Sequence, residues 1–175
     1  MDESIAHFRK AIEVYPGFED AYMQLGRIYL GQNAYGEAQQ VLEKATQVNP
    51  KNARSFALLG IVYREEGQAD RSIQALKEAV MLDGNAWLTH LELGKTLLLT
   101  GKIEEAYESA RRAHQLNPRA ATVHFLLYNV YVLRHDFKAA LSELDELLEK
   151  YPENPWVPQM RERRDMLRKS LGLLP

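Results

Sequence analysis

Apolar residues recur along this chain at the spacing of one helical face. Within 20–32, Tyr22, Leu25, Ile28 and Tyr29 share such a face, and after a polar break at Gly31, Gln32 and Asn33 the pattern resumes over 36–48 with Ala38, Val41, Leu42 and Ala45. A helix of about 13 residues is about 20 Å long, so the pattern predicts two short antiparallel helices. Polar residues such as Asn52 and Asp70 mark helix starts, where a side-chain oxygen can accept an otherwise free backbone N–H. Asn49-Pro50 and Asn117-Pro118 mark ends, because proline disfavours helical geometry in the residue before it.

The pair then repeats at a fixed step of 34 residues. That interval joins Pro16, Pro50, Pro118 and Pro152, with Gly84 in the remaining slot. It also joins Leu25, Leu59, Leu93 and Leu127; Gly26, Gly60 and Gly94; Tyr29, Tyr63, Leu97 and Tyr131; and Ala45, Ala79, Ala113 and Leu147. The chain therefore divides into blocks 19–52, 53–86, 87–120 and 121–154, preceded by a half block 1–18 and followed by a tail 155–175. Glycine inside a helix costs about 1 kcal/mol relative to alanine. Its recurrence at 26, 60 and 94 predicts close approach of the paired helix, where small residues Ala38, Ser72, Ala106 and Ala140 recur. One hairpin cannot bury both of its apolar faces, so each must stack on the next. The expected fold is an all-α solenoid of antiparallel helix hairpins.

The segment EDAYMQLGRIYLGQNAYGEAQQVLEKATQVNP (residues 19–50) combines a large–leucine–glycine–tyrosine first helix, an alanine-rich second helix and a closing proline. In these features, over 1–154, the chain resembles the tetratricopeptide repeat family. The resemblance implies a right-handed superhelix whose first helices line a concave face, and a role in binding peptides or partner proteins without catalysis. Three positions depart from the pattern: Gly84 replaces proline, Ala110 stands where Leu42, Leu76 and Leu144 stand elsewhere, and Tyr128 replaces the small residue of the last full first helix. The block 121–154 is therefore expected to pack differently around Tyr128.

Composition narrows the classes further. A hydrophobic fraction of 46% with 26% charged residues is that of a folded, soluble chain, and a net charge of −2 gives no general pull toward nucleic acid or anionic membrane. There is no cysteine, which excludes disulfides and thiolate metal sites. The opening MDESIAHFRK lacks an apolar signal core, and the densest apolar run, LGKTLLLTG, is too short to insert in a membrane, so the default compartment is the cytoplasm unless a longer protein contains this chain. The half block supplies only a second helix, with Ile5, Phe8 and Ile12 turned to the next repeat. It suggests a fragment of a longer protein, or else a lone capping helix, and it opens that side to self-association. In the tail, QMRERRDMLRKSLG is expected to form an amphipathic capping helix with Met160, Leu167 and Leu171 on one side. Arg161, Arg163, Arg164, Arg168 and Lys169 make only a weak basic stripe there, interrupted by Glu162 and Asp165.

If first helices line the concave face, the positions off the packed stripe point into it. These are Asp20, Met23, Arg27 and Leu30; Arg54, Ala57, Ile61 and Arg64; Leu88, Leu91, Lys95 and Leu98; and Thr122, Phe125, Asn129 and Val132. The expected surface is an apolar trough with basic points at Arg27, Arg54, Arg64 and Lys95. It suits an amphipathic protein or peptide segment carrying apolar anchors and some acidic residues; the alternative is that these residues only pack first helix to first helix. A carboxylate clamp of the kind some family members use for chaperone tails would fall on Met23, Arg27, Leu58, Leu88 and Glu92, or one repeat on at Ala57, Ile61, Glu92, Thr122 and Leu126. Neither set offers the donors. The other functional reading is a structural or self-assembling module without a dedicated peptide ligand. No cofactor, metal or catalytic residue is expected: His90 and His124, one repeat apart, can approach each other but are two ligands where zinc takes at least three, and they read as packing residues. His7, His114 and His135 have no evident partner. No H-E-x-x-H, glycine-rich phosphate loop or nucleophile elbow is present.

Overall fold

The computed structural model describes residues 2–173 and contains, among them, ten α-helices. They are α1 (Asp2–Val14), α2 (Glu19–Gly31), α3 (Tyr35–Val48), α4 (Ala53–Glu65), α5 (Ala69–Leu82), α6 (Trp87–Leu99), α7 (Ile103–Leu116), α8 (Ala121–Leu133), α9 (Phe137–Lys150) and α10 (Val157–Ser170). No strand occurs among the described residues. Each helix packs on the next in sequence, so the hairpins α2/α3, α4/α5, α6/α7 and α8/α9 stack in chain order as an all-α solenoid. The backbones of α2 and α4, of α4 and α6, and of α6 and α8 also approach one another, whereas those of α3, α5, α7 and α9 do not. The first-helix layer is therefore the tighter one, and the stack curves with α2, α4, α6 and α8 on its inner side.

The turns inside the hairpins follow from one backbone requirement. Asn33, Gly67, Gly101 and His135, one repeat apart, all have positive φ, between 58° and 74°. Glycine meets that demand without a Cβ clash, and asparagine and histidine are among the residues with a side chain that adopt it most often. Of the expected caps, Asn52 Oδ1 does accept the Arg54 N–H at 2.9 Å. Asp70 does not cap: α5 starts one residue earlier, so its carboxylate lies inside the first turn, where it favours the helix dipole instead. Asp136 caps α9 through the Ala139 N–H at 3.1 Å.

Glycine sets the distance between the two helices of a hairpin. A Cβ on Gly26 would lie 2.4 Å from Leu42 Cγ, and one on Gly60 would lie 2.6 Å from Leu76 Cγ. Leu42 and Leu76 thus fill the space that a side chain at either glycine would need, and both are fully buried. The third hairpin solves the same problem differently. Ala110 has no leucine side chain to offer, and Leu126 of α8 reaches back so that its Cδ2 is the atom a Gly94 Cβ would meet, at 2.8 Å. In the fourth hairpin Tyr128 has no glycine gap to leave. Its ring packs with Leu144, Leu147 and Met160, joining α8 and α9 to α10. The core accordingly runs in three apolar clusters along the stack, the middle one spanning α5 to α8.

Between repeats, polar groups are paired as carefully. Glu19 on α2 accepts from Asn52 Nδ2 at 2.9 Å and from the Ser55 hydroxyl, tying the starts of two successive first helices together. Ser72 and Thr96, both fully buried, share a hydrogen bond of 3.2 Å between α5 and α6. No buried side-chain nitrogen or oxygen among the described residues lacks a partner.

Two stability measurements test this packing. Gly26→Ala should destabilise by about 1–3 kcal/mol, because Leu42 must leave its rotamer, whereas Gly36→Ala, whose added Cβ meets nothing within 4 Å, should stabilise by about 0.5–1 kcal/mol; urea denaturation of both variants distinguishes the two sites. In the third hairpin, Leu126→Ala should cost about 2–4 kcal/mol and Ala110→Leu should overpack, yet the double variant should recover at least about 1 kcal/mol of the summed loss. Strict additivity in that cycle would contradict the exchange between Leu126 and Ala110.

Candidate interaction face

The residues that the sequence pattern points inward on α2, α4, α6 and α8 differ widely in exposure. Leu88 is 55% exposed, Arg27 and Arg54 are exposed, and Leu30, Ala57, Ile61, Leu98 and Val132 are half-buried. Asp20 and Thr122 complete the row at the two ends, one exposed and one half-buried. Asn129 is half-buried and donates its amide to the Phe125 carbonyl at 2.9 Å, one turn back on its own helix.

Four expected positions behave otherwise. Met23 (7% exposed) and Leu91 (2% exposed) belong to the core, because adjacent first helices pack side by side and this row lies at the seam. Leu91 is part of the middle apolar cluster. Arg64 and Lys95 are not free basic points: Glu92 accepts from Arg64 Nη1 and, at 2.8 Å, from Lys95 Nζ, and Arg64 also reaches Glu65 at 2.8 Å. The unpaired cations of the face are Arg27 and Arg54, since neither makes an ion pair among the described residues.

Phe125 is half-buried for a reason absent from the helical pattern. Trp156, at the start of α10, lies with its ring centroid 5.6 Å from that of Phe125, and the Arg163 guanidinium sits 5.8 Å over the same ring. Phe125 also stacks on Tyr128 at 6.2 Å. The tail therefore closes one end of the face rather than only solvating it. Trp156 is 39% exposed and continues the apolar surface beyond Phe125. It sits among prolines and outside any helical stripe, which hid its contribution.

The histidines do not meet as a pair. His90 Nε2 donates to the Gly84 carbonyl at 3.1 Å and His124 Nε2 to the Pro118 carbonyl at 3.0 Å, so each ring fastens its helix to the turn before it. His124 is fully buried, its Nδ1 lies 2.8 Å from Glu143 Oε2, and the ring meets His114, which does have a partner, edge-on at 5.1 Å. The Glu143 hydrogen bond holds the His124 pKa above the ordinary imidazole value despite burial.

Comparison with known proteins agrees with this architecture. A tetratricopeptide repeat family model matches residues 1–61 and 97–157, and a second model of the same description matches 53–85. Anaphase-promoting complex subunit 3 of Schizosaccharomyces pombe is 26% identical over 130 residues, which is 74% of this chain but only 20% of that subunit. The solved structure of YrrB, a TPR protein with an unusual peptide-binding site, superposes with a TM-score of 0.77 at 24% identity, covering 92% of this chain and 83% of YrrB. A structure from the APC/C hetero-tetramer Cut9–Hcn1 superposes with a TM-score of 0.80 at 19% identity, covering 98% of this chain and 34% of that one. No helix among the described residues is long and apolar enough to cross a membrane.

The Arg64–Glu92–Lys95 cluster is the electrostatic feature of the inner face that a titration can read. Burial alone would raise the Glu92 pKa, but the Arg64 and Lys95 hydrogen bonds overcome it and hold the carboxyl below the usual carboxylate range. A carboxyl whose folded pKa is depressed adds stability above its unfolded pKa and loses it as pH falls through the folded value. Glu92→Gln should therefore destabilise the chain by about 1–3 kcal/mol at neutral pH. Its stability should also fall less steeply than the parent's from about pH 5 downward. Parallel denaturation curves over that range check both statements.

Proposed function

The chain belongs to the tetratricopeptide repeat family, and from that premise we propose that it is a non-catalytic scaffold that binds a protein or peptide segment along the inner face of its first helices. The observation that carries this reading is Leu88. It is a large apolar side chain left exposed in the middle of the inner layer, with half-buried Ile61 and Leu98 on the same layer and Trp156 at the far end. A single exposed apolar residue needs no explanation, but one flanked by further apolar side chains on a curved surface matches the anchor positions of a bound segment. Arg27 and Arg54 lie toward the other end and favour acidic residues in that part of the ligand. YrrB, which shares the fold, carries a peptide-binding site of its own, and the fold appears within an APC/C assembly, so relatives of this architecture work through protein partners.

Selection from a random peptide display library against the intact chain tests the proposal. Enriched peptides should pair apolar anchors with an acidic end. Leu88→Glu and Arg54→Glu should each weaken them about tenfold or more, the effect of losing a central contact. Gln74→Glu, exposed on the second-helix layer, should leave affinity unchanged. Peptides that bind Leu88→Glu and Arg54→Glu as tightly as the parent would remove the inner face from consideration.

A further inference from the structure

We propose that His124, Glu143 and Glu146 form a binding site for a zinc-class divalent cation at the junction of α8 and α9. One ligand atom from each of the three residues lies within 4.8 Å of the others, the only such group of histidine and carboxylate side chains among the described residues. The two carboxylates are three residues apart on α9, so they leave the helix on one side and face the ring carried by α8. The chemistry of the set is imidazole plus carboxylate, which suits zinc and its neighbours in the first transition row.

The orientation of the ring is the second observation, and it is independent of the carboxylates. His124 Nε2 is committed to the Pro118 carbonyl at 3.0 Å. A metal-bound histidine characteristically donates its other ring N–H to a backbone carbonyl or carboxylate, an arrangement that fixes the tautomer and aims the free nitrogen. Here Nδ1 is the aimed nitrogen, 2.8 Å from Glu143 Oε2. A cation would take the place of the proton now shared between those two atoms and release it to solvent. Three protein ligands and one water complete the four positions that zinc prefers. The ring is fully buried while Glu146 is partly exposed, so the site has a wall on one side and an entry on the other. Lys150, which pairs with Glu146 one turn on, is the group that must swing away for an ion to enter. His90, one repeat earlier, holds its turn in the same way through Gly84, but among the described residues no group of such ligands surrounds it.

Thermal unfolding of the full chain with zinc chloride tests the site. At free zinc about 100-fold above Kd, Tm should rise by roughly 5–10 °C, and a chelator should reverse the rise. Glu146→Gln should lower zinc affinity at least about tenfold, measured by calorimetry, and Glu143→Gln should do the same if that variant folds. Lys150→Ala should retain or tighten binding, since it frees Glu146. Cobalt(II) in place of zinc should give the intense visible absorption of a four-coordinate site in the parent and lose it in Glu146→Gln. A Tm that does not respond to zinc overturns the proposal. So does a response that Glu146→Gln leaves undiminished, which would place the ion elsewhere, for example at His7 near the first residues of α1.

Discussion

A hairpin of two short helices has two apolar faces and only one partner of its own. That shortage of cover governs the whole molecule. The glycine rows let the two helices of a hairpin close up until Leu42 meets Gly26 and Leu76 meets Gly60, which satisfies one face. The other face has nothing to pack on but the next hairpin, so every block is committed to its neighbours and the stack has no independent part. Curvature follows from the same constraint. The backbones of second helices approach only those of the helices before and after them in sequence, and only long side-chain pairs such as Arg71–Glu43 and Lys77–Glu105 span the gap between second helices. First-helix backbones also approach each other, and the layer with the closer spacing becomes the inside of the bend.

The third and fourth hairpins show how much latitude this constraint leaves. What must be conserved between helices is filled volume, not the identity of the residue that fills it. At Gly94 the filling side chain comes from α8 rather than α7, because Ala110 is too small and Leu126 is within reach. In the next hairpin Tyr128 projects toward α10 and takes Met160 as its neighbour. Both exchanges move a packing interaction from within a hairpin to between hairpins. The C-terminal half should consequently behave as a more tightly coupled unit than the N-terminal half, where each glycine is answered by its own hairpin.

Helix positions and the order of stacking were legible in the sequence because they repeat, and five columns at one step of 34 leave little freedom. The close approach at the glycines was legible too, but not that Leu42, Leu76 and, from the next hairpin, Leu126 fill it. The inner face was legible only in outline. Met23 and Leu91 sit on the row that points inward, but a row cannot tell how near the adjacent first helix lies, and at these two places it lies near enough to bury them. Arg64 and Lys95 look like basic points when counted along their helices, yet the carboxylate that neutralises both comes from Glu92, 28 residues from the first and three from the second. The role of Trp156 was invisible to periodicity because it belongs to no helix.

The distribution of satisfied and unsatisfied surface bears on how such a face can bind. Between the inner helices, charge is already paired: Arg64, Glu92 and Lys95 answer each other, and Glu19 is held by Asn52 and Ser55. Of these, Arg64–Glu92 and the contacts of Glu19 with Asn52 and Ser55 lie across helix boundaries, so they lock one first helix to the next and fix the curvature before any partner arrives. A surface that is rigid in advance loses little entropy on binding, and more of the contact energy appears as affinity. The guanidiniums of Arg27 and Arg54, without an ion-pair partner among the described residues, and the exposed Leu88 are therefore the groups that the proposed scaffold would use to discriminate among ligands. In the binding mode we propose, the apolar residue would set where an anchor lies, and the two charges would set which way the segment runs.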